Sequence, residues 1–313
     1  MNRFSAFVLI LFISAFGALT FTSCSRNVKG TGKSVAGELP IIAVSILPHS
    51  YFVQRIGGDK VSVLVLVGSG QSPHSYEPSP KQLAELSRAK AWILSNTEFE
   101  QSLEPKVSSL YPALAIVDGT AGVKFRPMEA HAHEGEDEEA GHAEETSGVN
   151  IDRHSWLGRE PAKILAAQIR GALVKADPAH EVFYEDNYRS FIADIDREFD
   201  SLIPLLAPLK GKSVFVYHPA FGYFLDEFGI GQEAVETGGK EPTAKALAEL
   251  IAKAKEDRAS VIFVQAQFPV NAAKTVASSV GATVVPLDDL SPDWLNNIRM
   301  MGDALKKAAE ATR

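Results

Sequence analysis

The chain has 313 residues, with 31 basic against 39 acidic side chains, a formal net charge of −8 and a single cysteine. One cysteine excludes an internal disulfide framework. An acidic balance without a basic cluster excludes a nucleic-acid footprint, and the length suffices for two modest hydrophobic cores.

The N-terminus sets the compartment. Arg3 supplies a positive side chain, residues 6–21 are almost wholly apolar, and Thr22-Ser23-Cys24 follows. This is the order of a secretory signal peptide, residues 1–23, with an apolar run short of the ~20 residues a membrane span needs. Cys24, placed just beyond it, resembles a bacterial lipoprotein acceptor. The expectation is an extracytoplasmic protein, in the periplasm or at the cell surface, held to the bilayer by an acyl anchor on Cys24. Residues 24–39 are polar and rich in Gly, Ser and Lys, and read as a flexible tether.

Structure is expected from Pro40 onward. Residues 41–46 and 61–67 are buried-strand runs, separated by a short helix over 51–56 that stops at Gly57-Gly58. Ser79, followed by Pro80, opens a helix through Leu83 and Leu86 to Ala89. Residues 92–94 and 115–117 are further strands. Residues 127–152 break the pattern with nine acidic residues, three histidines (His131, His133, His142) and no Lys or Arg. That composition cannot bury a core and predicts a disordered insertion. A helix over 160–175 follows. Asp177 and Pro178 then open a second, in which Tyr184, Tyr188, Phe191, Ile195, Phe199 and Leu202 recur at spacings of three and four. About 25 residues of helix reach ~37 Å, long enough to brace two lobes. A second alternating series follows: strand 214–217, helix 221–228, helix 242–257, strand 261–264, helix 269–280, strand 283–287 and helix 292–309.

Strands alternating with helices predict an α/β chain of two lobes, each a mostly parallel sheet flanked by helices, joined by one long helix. The N-terminal lobe spans 40–175, the linking helix 176–208 and the C-terminal lobe 209–313.

Several candidate ligand side chains sit at junctions. His74 follows the second strand, His218 the strand at 214–217, and Asp288 the strand at 283–287. Ligands of open α/β sheets bind beyond the carboxyl ends of strands. His154 precedes a helix instead. Three imidazoles and one carboxylate form a closed tetrahedral set suited to Zn²⁺, a borderline cation. His49, His180, Glu236 and Glu241 are weaker candidates, and Trp156 and Trp294 read as packing residues.

Pro73-His74-Ser75-Tyr76-Glu77-Pro78-Ser79-Pro80 is similar to P-H-x-[FY]-E-P-[ST]-P, and His218-Pro219-Ala220-Phe221-Gly222-Tyr223-Phe224 to H-x-A-F-G-Y-F. Both patterns belong to the metal-binding proteins of bacterial zinc and manganese ABC transporters. Leu287-Asp288-Asp289-Leu290 resembles the family's D-x-L turn. Asp152-Arg153-His154-Ser155-Trp156-Leu157 resembles D-P-H-x-W-L, with Arg153 in place of Pro. The resemblance covers most of residues 41–310, and the acidic insertion is similar to a loop of zinc-specific members. It implies a monomeric solute-binding protein with His74, His154, His218 and Asp288 as ligands to zinc, or alternatively manganese. It also implies a rigid linking helix, delivery to a membrane permease and no catalysis. Glu77 would back a ligand imidazole or cap its own turn.

Two other classes make different demands. A secreted zinc hydrolase needs an open metal position and a general base, and the chain contains no His-Glu-x-x-His or Gly-x-Ser-x-Gly motif. A surface adhesin would keep the anchor and need no metal cleft.

Overall fold

The computed structural model describes residues 39–128, 151–234, 244–256, 259, 261–265 and 270–311. The expected signal peptide, the tether with Cys24, most of the acidic insertion, and Glu236 and Glu241 lie outside them.

The first lobe is built on β1 (Ile41–Val44), β2 (Ser62–Val65), β3 (Ala91–Leu94) and β4 (Ala115–Asp118). They lie in the order β2-β1-β3-β4, all parallel. The second lobe repeats this with β5 (Ser213–Val216), β6 (Gly231–Ala234), β7 (Val261–Val264) and β8 (Thr283–Pro286), in the order β6-β5-β7-β8, again all parallel. Parallel strands need crossovers, and the helices that supply them cover the sheets. The central strands β1, β3, β5 and β7 are accordingly the buried apolar runs.

The helices are α1 (Leu47–Gly57), α2 (Pro80–Leu86), α3 (Glu98–Leu110), α4 (Arg159–Ala176), α5 (Glu181–Leu206), α6 (Gly222–Asp226), α7 (Ala244–Glu256), α8 (Val270–Val280) and α9 (Trp294–Ala311). Three departures from the sequence expectation have a local cause. α1 starts four residues early, because Pro48 is tolerated in a first turn. α3 occupies a stretch that carried no assignment. Its start is fixed by Glu100, whose carboxylate accepts from the Thr97 N–H at 2.7 Å. The long helix proper begins at Glu181, after a 3₁₀ turn over Pro178–His180. The predicted insertion also starts and ends in ordered chain, since Pro127 and Ile151 form an antiparallel bridge.

α5 runs for 26 residues and buries Tyr184, Phe191, Ile195, Phe199, Leu202 and Leu206. Against the first lobe, Asn187 Nδ2 donates to Ile56 O at 3.0 Å. Against the second, the Phe199 ring packs on Phe224 and Phe228, with centroids 6.1 and 6.2 Å away. Between them, Phe191 meets Phe52 of α1 at 5.1 Å and Trp294 of α9 at 6.2 Å, and Phe52 meets Trp294 at 4.8 Å. These three rings are fully or almost fully buried and join both lobes to the linking helix. Among the described residues no helix is long and apolar enough to cross a membrane.

Truncating the middle ring should loosen both lobes. Phe191→Ala is expected to cost about 3–5 kcal/mol of unfolding free energy, the usual range for a buried phenylalanine. Urea unfolding checks it, and a loss under about 1 kcal/mol would show that the lobes do not rely on this cluster.

Candidate metal centre

Three loops bring three imidazoles together. The chain runs on past β2 to Val67, whose N–H donates to Ser45 O at 2.9 Å, and then turns. Pro73 starts a 3₁₀ turn over Pro73–Ser75, and Ser72 Oγ accepts from the His74 N–H at 3.3 Å. Ser79 and Gln82 form a reciprocal cap that opens α2 directly afterwards, so the Ser-Pro of this motif is helix-starting chemistry. His218 lies two residues past β5. Gln265, just past β7, clamps its backbone by accepting from the His218 N–H at 3.4 Å and donating to its carbonyl at 3.1 Å. His154 precedes a 3₁₀ turn over Ser155–Leu157.

The ligand atoms of His74, His154 and His218 all lie within 4.8 Å of one another. His154 Nε2 and His218 Nε2 are 3.2 Å apart. Two nitrogens on a tetrahedral zinc, each at about 2.05 Å, stand roughly 3.3 Å apart. The pair is therefore spaced as a metal would require. His154 and His218 are buried, while His74 forms the exposed side of the group.

Each of two imidazoles has a carboxylate behind it. The Asp152 carboxylate accepts from the His154 backbone N–H and from its Nδ1, both at 2.9 Å. With the proton on Nδ1, the neutral ring presents Nε2 to the pocket as a lone pair. Burial pushes the Asp152 carboxyl up, but hydrogen bonds from His154 and Arg126 outweigh it and hold the group below its ordinary range. Burial pulls His154 down, and Asp152 outweighs that in turn, so the imidazole sits above its usual value. Behind His74 stands Glu98, with Nδ1 and Oε2 at 3.4 Å. The hydrogen bond from His74 is the main reason that the Glu98 carboxyl is drawn down to about 2. Glu77, the sequence's candidate for such a role, is exposed.

The acidic turn after β8 differs from expectation. Asp288 is half-buried and its Oδ1 accepts from the Leu290 N–H at 2.9 Å. It is not in the group of converging ligand atoms. The carboxylate lining the pocket beside His154 and His218 is that of Asp289, which is buried and whose Oδ1 has no hydrogen-bond partner. Burial raises the Asp289 carboxyl, and the two imidazoles counteract it only in part. The turn is anchored from the first lobe, because Trp156 Nε1 donates to Asp289 O at 2.8 Å. Trp294 Nε1 donates to Trp156 O at 2.9 Å.

A second set of bonds joins the lobes. Arg126 Nη1 donates to Asp152 Oδ2 at 3.0 Å and its Nε to Asp226 Oδ2 at 2.8 Å. Tyr223 Oη accepts from the Arg126 N–H at 3.1 Å and donates to Asp152 O at 2.9 Å. The guanidinium lies directly over Gly222, where any Cβ would overlap it. That contact explains the glycine in the Phe221-Gly222-Tyr223 motif.

The remaining histidines of the described residues stand apart. His49 is buried, its Nδ1 3.2 Å from Ser95 Oγ, and burial lowers it to about 3. His180 Nδ1 pairs with Asp177 Oδ2 at 2.6 Å.

The sequence profile of the zinc-uptake complex component A periplasmic family, ZnuA, matches residues 42–308. This chain belongs to that family. It is 30% identical over 285 residues to the high-affinity zinc uptake system protein ZnuA of Bacillus subtilis, covering 90% of this chain and 88% of the relative. It is 27% identical over 305 residues to the zinc-binding lipoprotein AdcA of Streptococcus pneumoniae, covering 96% of this chain and 57% of AdcA. A crystal structure of ZnuA superimposes with a TM-score of 0.78 at 32% identity, covering 87% of this chain and all of the other. The manganese complex of FpvC from Pseudomonas aeruginosa shares the fold, with a TM-score of 0.72 at 23% identity. Membership of a periplasmic ZnuA family makes the chain an extracytoplasmic transport component.

Protons and metal compete for the same nitrogens. Because Asp152 raises His154, that imidazole keeps its proton to a higher pH than a free one, and zinc must displace it. Zinc affinity should therefore climb as pH rises between about 5 and 8. The metal-free fold has the opposite sign: a raised imidazole contributes stability at low pH, lost as pH rises through its folded-state value. Chelator competition across that interval checks the first trend, and a flat profile would exclude the imidazoles as ligands.

Proposed function

We propose that this chain captures one zinc ion between its lobes and hands it to the permease of an ABC transporter. The observation that carries this reading is the convergence of His74, His154 and His218 at a spacing fit for a tetrahedral cation. Imidazole suits zinc, whereas manganese favours oxygen-rich octahedral shells, which makes zinc the cargo and manganese the weaker competitor. The fourth donor in this reading is Asp289, supported by its unpartnered buried oxygen beside two of the imidazoles. Four protein donors leave no open position for a catalytic water. The mature chain acts as a monomer, tethered to the bilayer through acylated Cys24.

Elemental analysis of the purified chain should give one zinc per molecule, and titration should place manganese well below zinc in affinity. Equal affinities would remove the zinc assignment. His218→Ala should weaken zinc by at least about tenfold, equivalent to about 1.4 kcal/mol. Unchanged affinity would remove His218 from the site.

The carboxylate is tested separately. Asp289→Asn should weaken zinc more than Asp288→Asn does, as measured by chelator competition. The reverse order would return the fourth position to Asp288, the residue expected from the motif.

A further inference from the structure

The three imidazoles are not held alike. His154 is buried and fixed through both its backbone N–H and its Nδ1 by Asp152, itself fully buried and gripped by Arg126. His218 is buried and its backbone is clamped on both sides by Gln265. His74 stands on a short exposed turn, with its side chain 30% exposed. What faces its Nδ1 is Glu98, the first residue of α3.

Glu98 is in turn held by Arg153. Arg153 Nε lies 3.3 Å from Glu98 Oε1, the oxygen not used by His74. The same guanidinium donates through Nη1 to Asn96 O at 2.9 Å and to Asn96 Oδ1 at 3.0 Å. Asn96 is the one described non-glycine residue with a positive φ, 62°, a conformation asparagine adopts more readily than most side chains. Arg153 thus braces the bend that leads into α3 and aims Glu98 at His74. Both Glu98 oxygens are engaged, so the group is arranged to orient an imidazole rather than to bind the cation itself. Arg153 adjoins His154 in the chain, so one dipeptide carries a ligand and the brace for another.

We propose that Glu98, held by Arg153, is the positioning residue that keeps His74 turned toward the metal and so sets how slowly zinc leaves. This rests on the zinc-capture reading above. His74 is the ligand on the solvent side, and its detachment opens the site while His154 and His218 stay in place. A backing group of a ligand imidazole typically changes metal affinity by about 10–100-fold when removed. Here the change should fall on the dissociation rate.

The test follows zinc release from the full folded protein into excess chelator by stopped flow. Glu98→Ala should speed release by roughly tenfold or more. Glu98→Asp, which keeps a carboxylate one methylene shorter, should recover part of that. Arg153→Gln should speed release by a smaller factor with His154 still bound. Cobalt-loaded protein gives a readout that a purely structural role would not move: its visible d–d bands should shift in Glu98→Ala, reporting an altered ligand sphere. Release at the unmodified rate with an unchanged cobalt spectrum in Glu98→Ala overturns the proposal. Should Glu98→Ala not fold, Arg153→Gln decides by the same two readouts. Failure of the unmodified chain to bind zinc would instead overturn the function proposed above.

Discussion

Everything in this molecule depends on keeping three imidazoles, drawn from chain positions 74, 154 and 218, at one point. Two lie in segments of the first lobe and one follows β5, a central strand of the second sheet. The spacing of His154 Nε2 and His218 Nε2 is therefore a measure of how the lobes are held. A helix of 26 residues spans ~39 Å and resists bending along its length. Its contacts with both lobes convert helix stiffness into a fixed distance between the histidines. The Phe52–Phe191–Trp294 cluster does the same through close packing, since a well-packed interior transmits strain instead of absorbing it.

The two sheets share one strand order, so each has a switch point beside its first strand, at β1 and at β5. Side chains beyond the carboxyl ends of those strands face the space between the lobes. That topology delivers His218 to the site and gives Gln265, beyond β7, its place behind it. The clasp of Arg126, Asp152, Gly222 and Tyr223 then ties the His154 segment to the start of α6. Gly222 has no freedom here for a steric reason unrelated to turn geometry, because the guanidinium occupies the space of its side chain.

Sequence patterning made the two-lobe α/β plan legible because central parallel strands are continuous apolar runs, as in Ile41-Ile42-Ala43-Val44 and Val261-Ile262-Phe263-Val264. It missed β6, an edge strand of Gly231-Gln232-Glu233-Ala234, where Gln232 is buried to bond the Pro219 carbonyl and the Phe221 N–H. It missed α3, whose interior Pro105 hides a helix set by its N-terminal cap. The three histidines were legible from motif and position. The carboxylates were not: Glu98 is 24 residues from His74 in sequence, and only the fold brings them together. Asp288, the motif's carboxylate, and Asp289, which lines the pocket, are adjacent in one tight turn, where a difference of one residue changes which side chain reaches the pocket.

Asp289 also shows how such a pocket favours a cation before any contact is counted. The Asp152 and Glu98 carboxylates are each matched by an arginine, Arg126 and Arg153. The described structure gives Asp289 Oδ1 no such partner, although the residue is buried. A buried polar group without a partner costs about 1–3 kcal/mol, and more when it is charged. Burial pushes this carboxyl above its ordinary range, and the two imidazoles only partly offset the push. In the zinc-capture reading, a divalent cation supplies the missing partner. The cost relieved in that way adds to the affinity for the cation. A receptor that must hold its cargo against dilution yet release it to a partner gains from this arrangement. In that reading the force retaining the metal is electrostatic and local, so a small displacement of one donor is enough to weaken it.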